Sequence, residues 1–275
     1  MRGDADEGRG ERAPEDLSDA ESIFYFMITI LVTLIIPEIH LRAVSSLVIV
    51  LVMLRLRGIH PRLGTVEGSV ISPILALTMT IPFASIAEVN YHGTEIVEIA
   101  SMIPYHLSVA VWEECLYRGF ILRRSPPLLI LSSSIFSILH AKNPGFGFLP
   151  SIGLLSAGIF LCLIRIGWGL IPSVLFHLSW NLSLEHLWGF PTSGLRGPSI
   201  FSSELRGPSF MTGGDFGPEG SVLAVVEFAL ASAILLLKAR RAGGKFYKAL
   251  INAAPWNHGA RGRQGEDPER AEVHN

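Results

Sequence analysis

Apolar residues in this chain come in long runs instead of at alternate positions or every third to fourth position. The runs cover residues 23–39, 41–56, 69–87, 96–122, 127–140, 147–165, 169–188 and 221–238. A segment apolar on all sides suits a helix whose whole circumference meets lipid or other helices. About 20 helical residues cross the hydrocarbon of a bilayer. The pattern therefore predicts an all-α fold, a polytopic transmembrane helical bundle with about eight membrane-spanning helices. Runs nearer ~15 residues are short for a full crossing and are read as tilted or re-entrant.

Polar segments bound this bundle. Residues 1–21, rich in Asp, Glu, Gly and Arg and without the architecture of a signal peptide, predict a disordered N-terminal tail, and 251–275 a flexible C-terminal tail. Residues 22–250 form the transmembrane domain between them. Lys and Arg favour cytoplasmic loops. Eight spans with a cytoplasmic N-terminus place Arg55, Arg57 and Arg62, then Arg123 and Arg124, then Arg165, then Lys238, Arg240, Arg241, Lys245 and Lys248 on that side. The acidic turn carrying Glu88, Glu95 and Glu98 and the loop 189–220 then fall outside, and both tails are cytoplasmic. The expected location is the cytoplasmic (plasma) membrane. Within 189–220 a short repeat, Leu195-Arg-Gly-Pro-Ser-Ile200 and Leu205-Arg-Gly-Pro-Ser-Phe210, reads as a local duplication in a tolerant exposed loop, against the alternative of a substrate-gating lid.

Composition agrees with a membrane setting: 49% of residues are hydrophobic, 17% are charged and mean hydropathy is +0.43. The net charge of −2 adds little. The two cysteines, Cys115 and Cys162, each lie inside an expected span and are read as packing residues. No Gly-rich phosphate loop is present and the basic residues are dispersed, so neither a nucleotide nor a nucleic acid is an expected partner.

Polar residues inside the runs carry the chemistry. A carboxylate at membrane depth costs on the order of 3 kcal/mol even on mild insertion scales, so those present need a purpose. Trp112-Glu-Glu-Cys-Leu-Tyr-Arg-Gly-Phe120 contributes Glu113, Glu114 and Arg118. Glu114 and Arg118 are four apart and share a helix face, whereas Glu113 is turned by about 100° and points elsewhere. Phe136-Ser-Ile-Leu-His140 ends the next run, and His177-Leu-Ser-Trp-Asn181 places an imidazole and an amide on one face of a third. The cheapest joint arrangement of such groups is convergence on one water-containing cavity.

Glu-Glu-x-x-x-Arg, Phe-x-x-x-His and His-x-x-x-Asn, in that order on successive apolar runs, resemble the CPBP family of intramembrane proteases. That family includes type II CAAX-prenyl endopeptidases and bacteriocin-processing or self-immunity proteins. The resemblance covers about 90 to 185, with Tyr117-Arg-Gly-Phe120 also in keeping, and it does not anticipate the loop 189–220.

Taken with the residues, the resemblance implies hydrolysis of a peptide bond at or within the membrane. Glu113 with His140 would activate water, His177 and Asn181 would hydrogen-bond the developing oxyanion, and Glu114, Arg118 and Phe136 would support them. The expected substrate is a peptide or protein, lipidated in the CAAX-type reading, met among membrane lipid. A metal-free mechanism with no cofactor is preferred because no His-Glu-x-x-His helix is present. Zinc held by Glu113, His140 and His177 is the competing version. Two other classes are a non-catalytic membrane immunity or scaffold protein and an ion-conducting protein.

Overall fold

A computed structural model describes residues 63–241 except 92, 94, 95 and 123–127, together with residues 44, 45, 47, 48 and 51. The chain divides into two compact units, 1–60 and 61–275. The five described residues of the first unit are helical. Beyond them, the spans expected at 23–39 and 41–56 lie outside the described residues. So do both tails and Arg55, Arg57, Arg62, Arg123, Arg124, Lys245 and Lys248.

The described part of the second unit is mainly helical. In chain order it contains α1 (Val66–Ser85), β1 (Ala87–Tyr91), α2 (Ile96–Glu114), α3 (Leu128–Leu139), α4 (Phe148–Gly167), α5 (Leu170–Asn181), β2 (Phe201–Leu205), α6 (Ser209–Thr212) and α7 (Val222–Arg241). Three of these, α1, α4 and α7, are 20 residues long and apolar enough to cross a membrane. At 1.5 Å per residue each reaches about 30 Å, the thickness of the hydrocarbon layer. Their outer faces remain apolar: Ile74, Leu77 and Ile81 on α1 and Val226, Leu230, Ile234 and Leu237 on α7 are exposed, as lipid-facing positions should be. Seven α-helices are present among the described residues, so the expected count of about eight spans is matched only as a helical membrane bundle.

Helix α1 begins at Thr65, whose hydroxyl accepts from the Gly68 amide at 3.1 Å and caps the first turn. It packs on α5, while α4 packs against α3 and α7. The α4–α5 connection passes through Gly169 (φ +119°), where a Cβ would lie 2.2 Å from the Gly64 Cα. Two glycines thus let the α4–α5 turn touch the start of α1, and Thr65 N–H donates to Trp168 O at 2.8 Å across the contact. Aromatic rings fill the interior: Phe160 lies 5.0 Å from Phe176, and Trp180 lies 5.0 Å from Phe228.

Two features depart from the run-based reading. First, α2 and α5 each continue without a break into π-helical turns, Cys115–Ile121 and Leu182–Trp188. Such wide turns concentrate at functional sites. Second, the segment 189–220 is not a tolerant exposed loop. Its strand β2 pairs antiparallel with β1, with Ala87 opposite Leu205 and Tyr91 opposite Phe201, and Arg206 at the end of β2 pairs with Glu88. Glu219 is buried and accepts from Trp180 Nε1 (2.9 Å), Ser193 N (2.6 Å) and Ser193 Oγ (2.8 Å). Backbone pairing and a satisfied buried acid hold this segment against the helices, which the repeat did not disclose.

Candidate active site

The end of α2, the π-turn after it, α3 and α5 supply the polar cluster. Glu113, Glu114 and Arg118 are buried, with Glu114 and Arg118 fully inaccessible. Arg118 Nη1 donates to Glu114 Oε1 at 2.8 Å, the pairing implied by their spacing of four. Glu114 has further partners: His177 Nδ1 lies 3.0 Å from its Oε1, and Ser173 Oγ donates to Oε2. Arg118 also approaches Gly158 O (3.4 Å), and its guanidinium carbon sits 4.6 Å from the centre of the Phe136 ring. Glu114 is therefore enclosed by donors from α2's continuation and from α5.

Glu113 is situated differently. Its Oε2 is buried with no hydrogen-bond partner among the described residues and lies 3.7 Å from His177 Nε2. The sequence expectation that Glu113 points away from Glu114's surroundings is corrected here. The two acids address the two nitrogens of one imidazole, because adjacent positions at the end of α2 both border the same face of α5. A gap of 3.7 Å is too long for a direct hydrogen bond.

His140 Nδ1 donates to Phe136 O at 2.8 Å, which in the neutral ring leaves Nε2 with its lone pair. The Phe136 ring stands between the imidazoles, 4.9 Å from His140 and 6.1 Å from His177. Asn181 is buried on α5 one turn beyond His177, on the same face. Glu113, Glu114, Arg118, Phe136, His140 and His177 thus meet around one region, with Asn181 bordering it.

Charge bookkeeping constrains this region. Two carboxylates and one guanidinium leave one net negative charge, and a protonated His177 between the two acids makes the quartet neutral. An isolated net charge at this depth is expensive. The donor set also suits a metal by chemical type. In both His140 and His177, Nδ1 is held by an oxygen acceptor and Nε2 is presented, the arrangement found behind metal-bound histidines.

Three residues near this cluster were not singled out from sequence. Ser173, fully buried, holds Glu114. His106 lies seven residues before Glu113, and Glu185 four beyond Asn181, so the polar stripe continues along both helices. Cys115 and Cys162 are free and buried, and Cys162 Sγ lies 3.8 Å from Ser133 Oγ.

Residues 95–183 match the family model described as Type II CAAX prenyl endopeptidase Rce1-like. That interval contains every residue of the cluster. This match is consistent with the resemblance of the chain to the CPBP family of intramembrane proteases. No curated protein and no solved structure matches the chain.

Proposed function

We propose, from a chain whose residues 95–183 match the type II CAAX prenyl endopeptidase Rce1-like family model, that it hydrolyses a peptide bond at the membrane with Glu113 as the base that activates water. The observation that supports this most is the contrast between the two acids. Glu114 is held by Arg118, His177 and Ser173, whereas Glu113 Oε2 is buried without a hydrogen-bond partner among the described residues, 3.7 Å from His177 Nε2. A water touching both atoms is deprotonated by Glu113 and attacks the scissile carbonyl with His140 assisting, and the proton taken by Glu113 passes to the leaving amine as the C–N bond breaks. Protonated His177 and the Asn181 amide then donate to the oxyanion as it develops. Glu114 and Arg118 position His177 and do not exchange protons with substrate.

The substrate in this reading is the C-terminal peptide of a lipidated protein presented from the bilayer. The location is the cytoplasmic membrane, with both termini on the cytoplasmic side. Full-length protein in detergent, incubated with quenched peptides carrying farnesylated or unmodified cysteine, tests this. Cleavage by the wild type of the farnesylated series is the expected result, and cleavage of neither series overturns the reading.

One observation favours a second version. The anchored Nδ1 atoms of His140 and His177 fit a zinc site completed by Glu113. Zinc bound there would act as a Lewis acid and lower the proton affinity of its water. Activity that survives exhaustive chelation supports the metal-free version, and activity abolished by chelation and restored by zinc replaces it.

A further inference from the structure

A second buried polar cluster lies two helical turns from Glu113 along α2, about 10 Å at 1.5 Å per residue. It consists of His106 on α2 and of Glu185 and His186 on the π-turn that follows α5. Their relative exposures are 4%, 7% and 2%, so three ionisable side chains have been taken out of solvent together. One ligand atom from each lies within 4.8 Å of the others. None of the three belongs to the motifs that make up the active-site cluster.

The local geometry is directional. His186 Nδ1 donates to Pro198 O at 2.7 Å, so the neutral ring turns the lone pair of Nε2 inward. That Nε2 faces His106 Nε2 at 2.8 Å, and Glu185 Oε2 lies 3.5 Å from the same His106 atom. In the cation-free protein His106 must donate its Nε2 proton to His186. Glu185 is then a buried carboxylate beyond ordinary hydrogen-bond range of the imidazole beside it. A backbone carbonyl behind one imidazole, a second imidazole and a carboxylate are the parts of a metal site with two histidine ligands and one carboxylate ligand, its outer support already in place.

The segment 189–200 is shaped around this cluster. A Cβ on Gly197 would lie 2.6 Å from Glu185 Oε1 and 3.0 Å from His186 Cε1, so the backbone of residue 197 lies directly against the cluster. Pro198 supplies the carbonyl, and Ile200 N–H donates to His186 O at 2.8 Å. The first copy of the Leu-Arg-Gly-Pro-Ser repeat thus closes the site, while the Arg206 of the second copy pairs with Glu88.

We propose that His106, Glu185 and His186 bind one divalent transition-metal cation, zinc by donor type, which fastens the segment after α5 to α2. Two imidazoles and a carboxylate suit zinc, with a fourth position left for water. At metal–ligand distances of about 2.0–2.2 Å, tetrahedral geometry separates two nitrogens by about 3.3 Å. The His106–His186 pair needs to open by roughly 0.5 Å, a side-chain adjustment, and its shared proton leaves to solvent on binding. This site is separate from the zinc alternative at Glu113, His140 and His177.

The test uses full-length protein in detergent, stripped with a chelator and titrated with cobalt(II), read by visible ligand-field absorption. Wild type is expected to take up a tetrahedral cobalt equivalent that zinc displaces. Glu185→Gln is expected to lose that equivalent, whereas Glu113→Gln retains it. His186→Cys is expected to keep the cobalt and add a thiolate-to-metal charge-transfer band, a gain of signal that unfolding cannot mimic when circular dichroism shows intact helices. If Glu185→Gln does not fold, the sulfur band decides alone. Folded wild type without ligand-field bands, or a cobalt spectrum in His186→Cys identical to that of wild type, overturns the proposal.

Discussion

Glu114 holds His177 by Nδ1 at 3.0 Å and thereby turns Nε2 of the ring toward Glu113. One acid fixes the imidazole and the other faces its second nitrogen. Neighbours in sequence thus acquire different duties through their partners on α5.

The buried ion pair supports a stability prediction. Glu114 and Arg118 are fully inaccessible, so removing either partner leaves an uncompensated charge, at a cost of about 3–5 kcal/mol. Glu114→Gln and Arg118→Met are each expected to lower the unfolding temperature sharply. The double variant is expected to be less destabilised than the sum of the two, by about 1–3 kcal/mol in a double-mutant cycle. Additive losses in thermal unfolding would show that the two side chains do not act as a pair.

Asn181→Ala tests the oxyanion assignment. Loss of one oxyanion donor costs about 10²–10³ in kcat. The variant is expected to lose activity on that scale with little change in KM and in unfolding temperature. An unchanged kcat would remove Asn181 from the site, and ion uptake in sealed vesicles that tolerates Asn181→Ala would favour the conducting alternative.

Gly158 on α4 packs directly against Ser133 on α3. A Cβ there would sit 2.8 Å from Ser133 Cβ and 3.0 Å from Ser133 Cα. Alanine gains up to about 1 kcal/mol of helix propensity over glycine, whereas overpacking costs about 1–3 kcal/mol. Because backbone is among the crowded atoms, the clash is expected to prevail. Gly158→Ala should lower the unfolding temperature and, through the Arg118 contact to Gly158 O, reduce activity. A rise in unfolding temperature would contradict this packing.

Glu219 fixes the segment 189–220 by accepting from Trp180 and twice from Ser193. Hydrogen bonds to a charged group contribute about 1.5–3 kcal/mol each. Glu219→Ala is expected to cost at least ~3 kcal/mol and to open residues 189–200 to limited proteolysis. Unaltered cleavage kinetics would show that the acid is not the fastening point.

The helices and the convergence of the buried polar residues were legible because their signals are local. Apolar runs report burial directly, and polar residues set four apart in such runs stand out, as Glu114 and Arg118 or His177 and Asn181 do. Pairing of β1 with β2 was not legible, since its partners are more than a hundred residues apart and five-residue strands carry little periodicity. The π-turns after Glu114 and Asn181 leave no composition mark. Their wider pitch still preserves the Arg118–Glu114 contact at 2.8 Å. Glu219 sits among glycines and prolines that read as a solvated turn, and its role comes from Trp180 and Ser193 reaching it through tertiary structure. His106 lies seven residues before Glu113 and Glu185 four after Asn181, spacings at which a search along the helices would have found them, whereas His186, five from Asn181 within the π-turn, falls outside such a search.

The central claim is that Glu113, and not its neighbour, activates the water that cleaves the peptide bond. The most direct measurement is kcat of Glu113→Gln against wild type, in the same detergent and after chelation, with circular dichroism confirming the fold. Loss of a positioned general base is expected to lower kcat by about 10²–10⁴-fold while KM stays within a small factor. A Glu113→Gln protein that turns over at the wild-type rate would contradict the account.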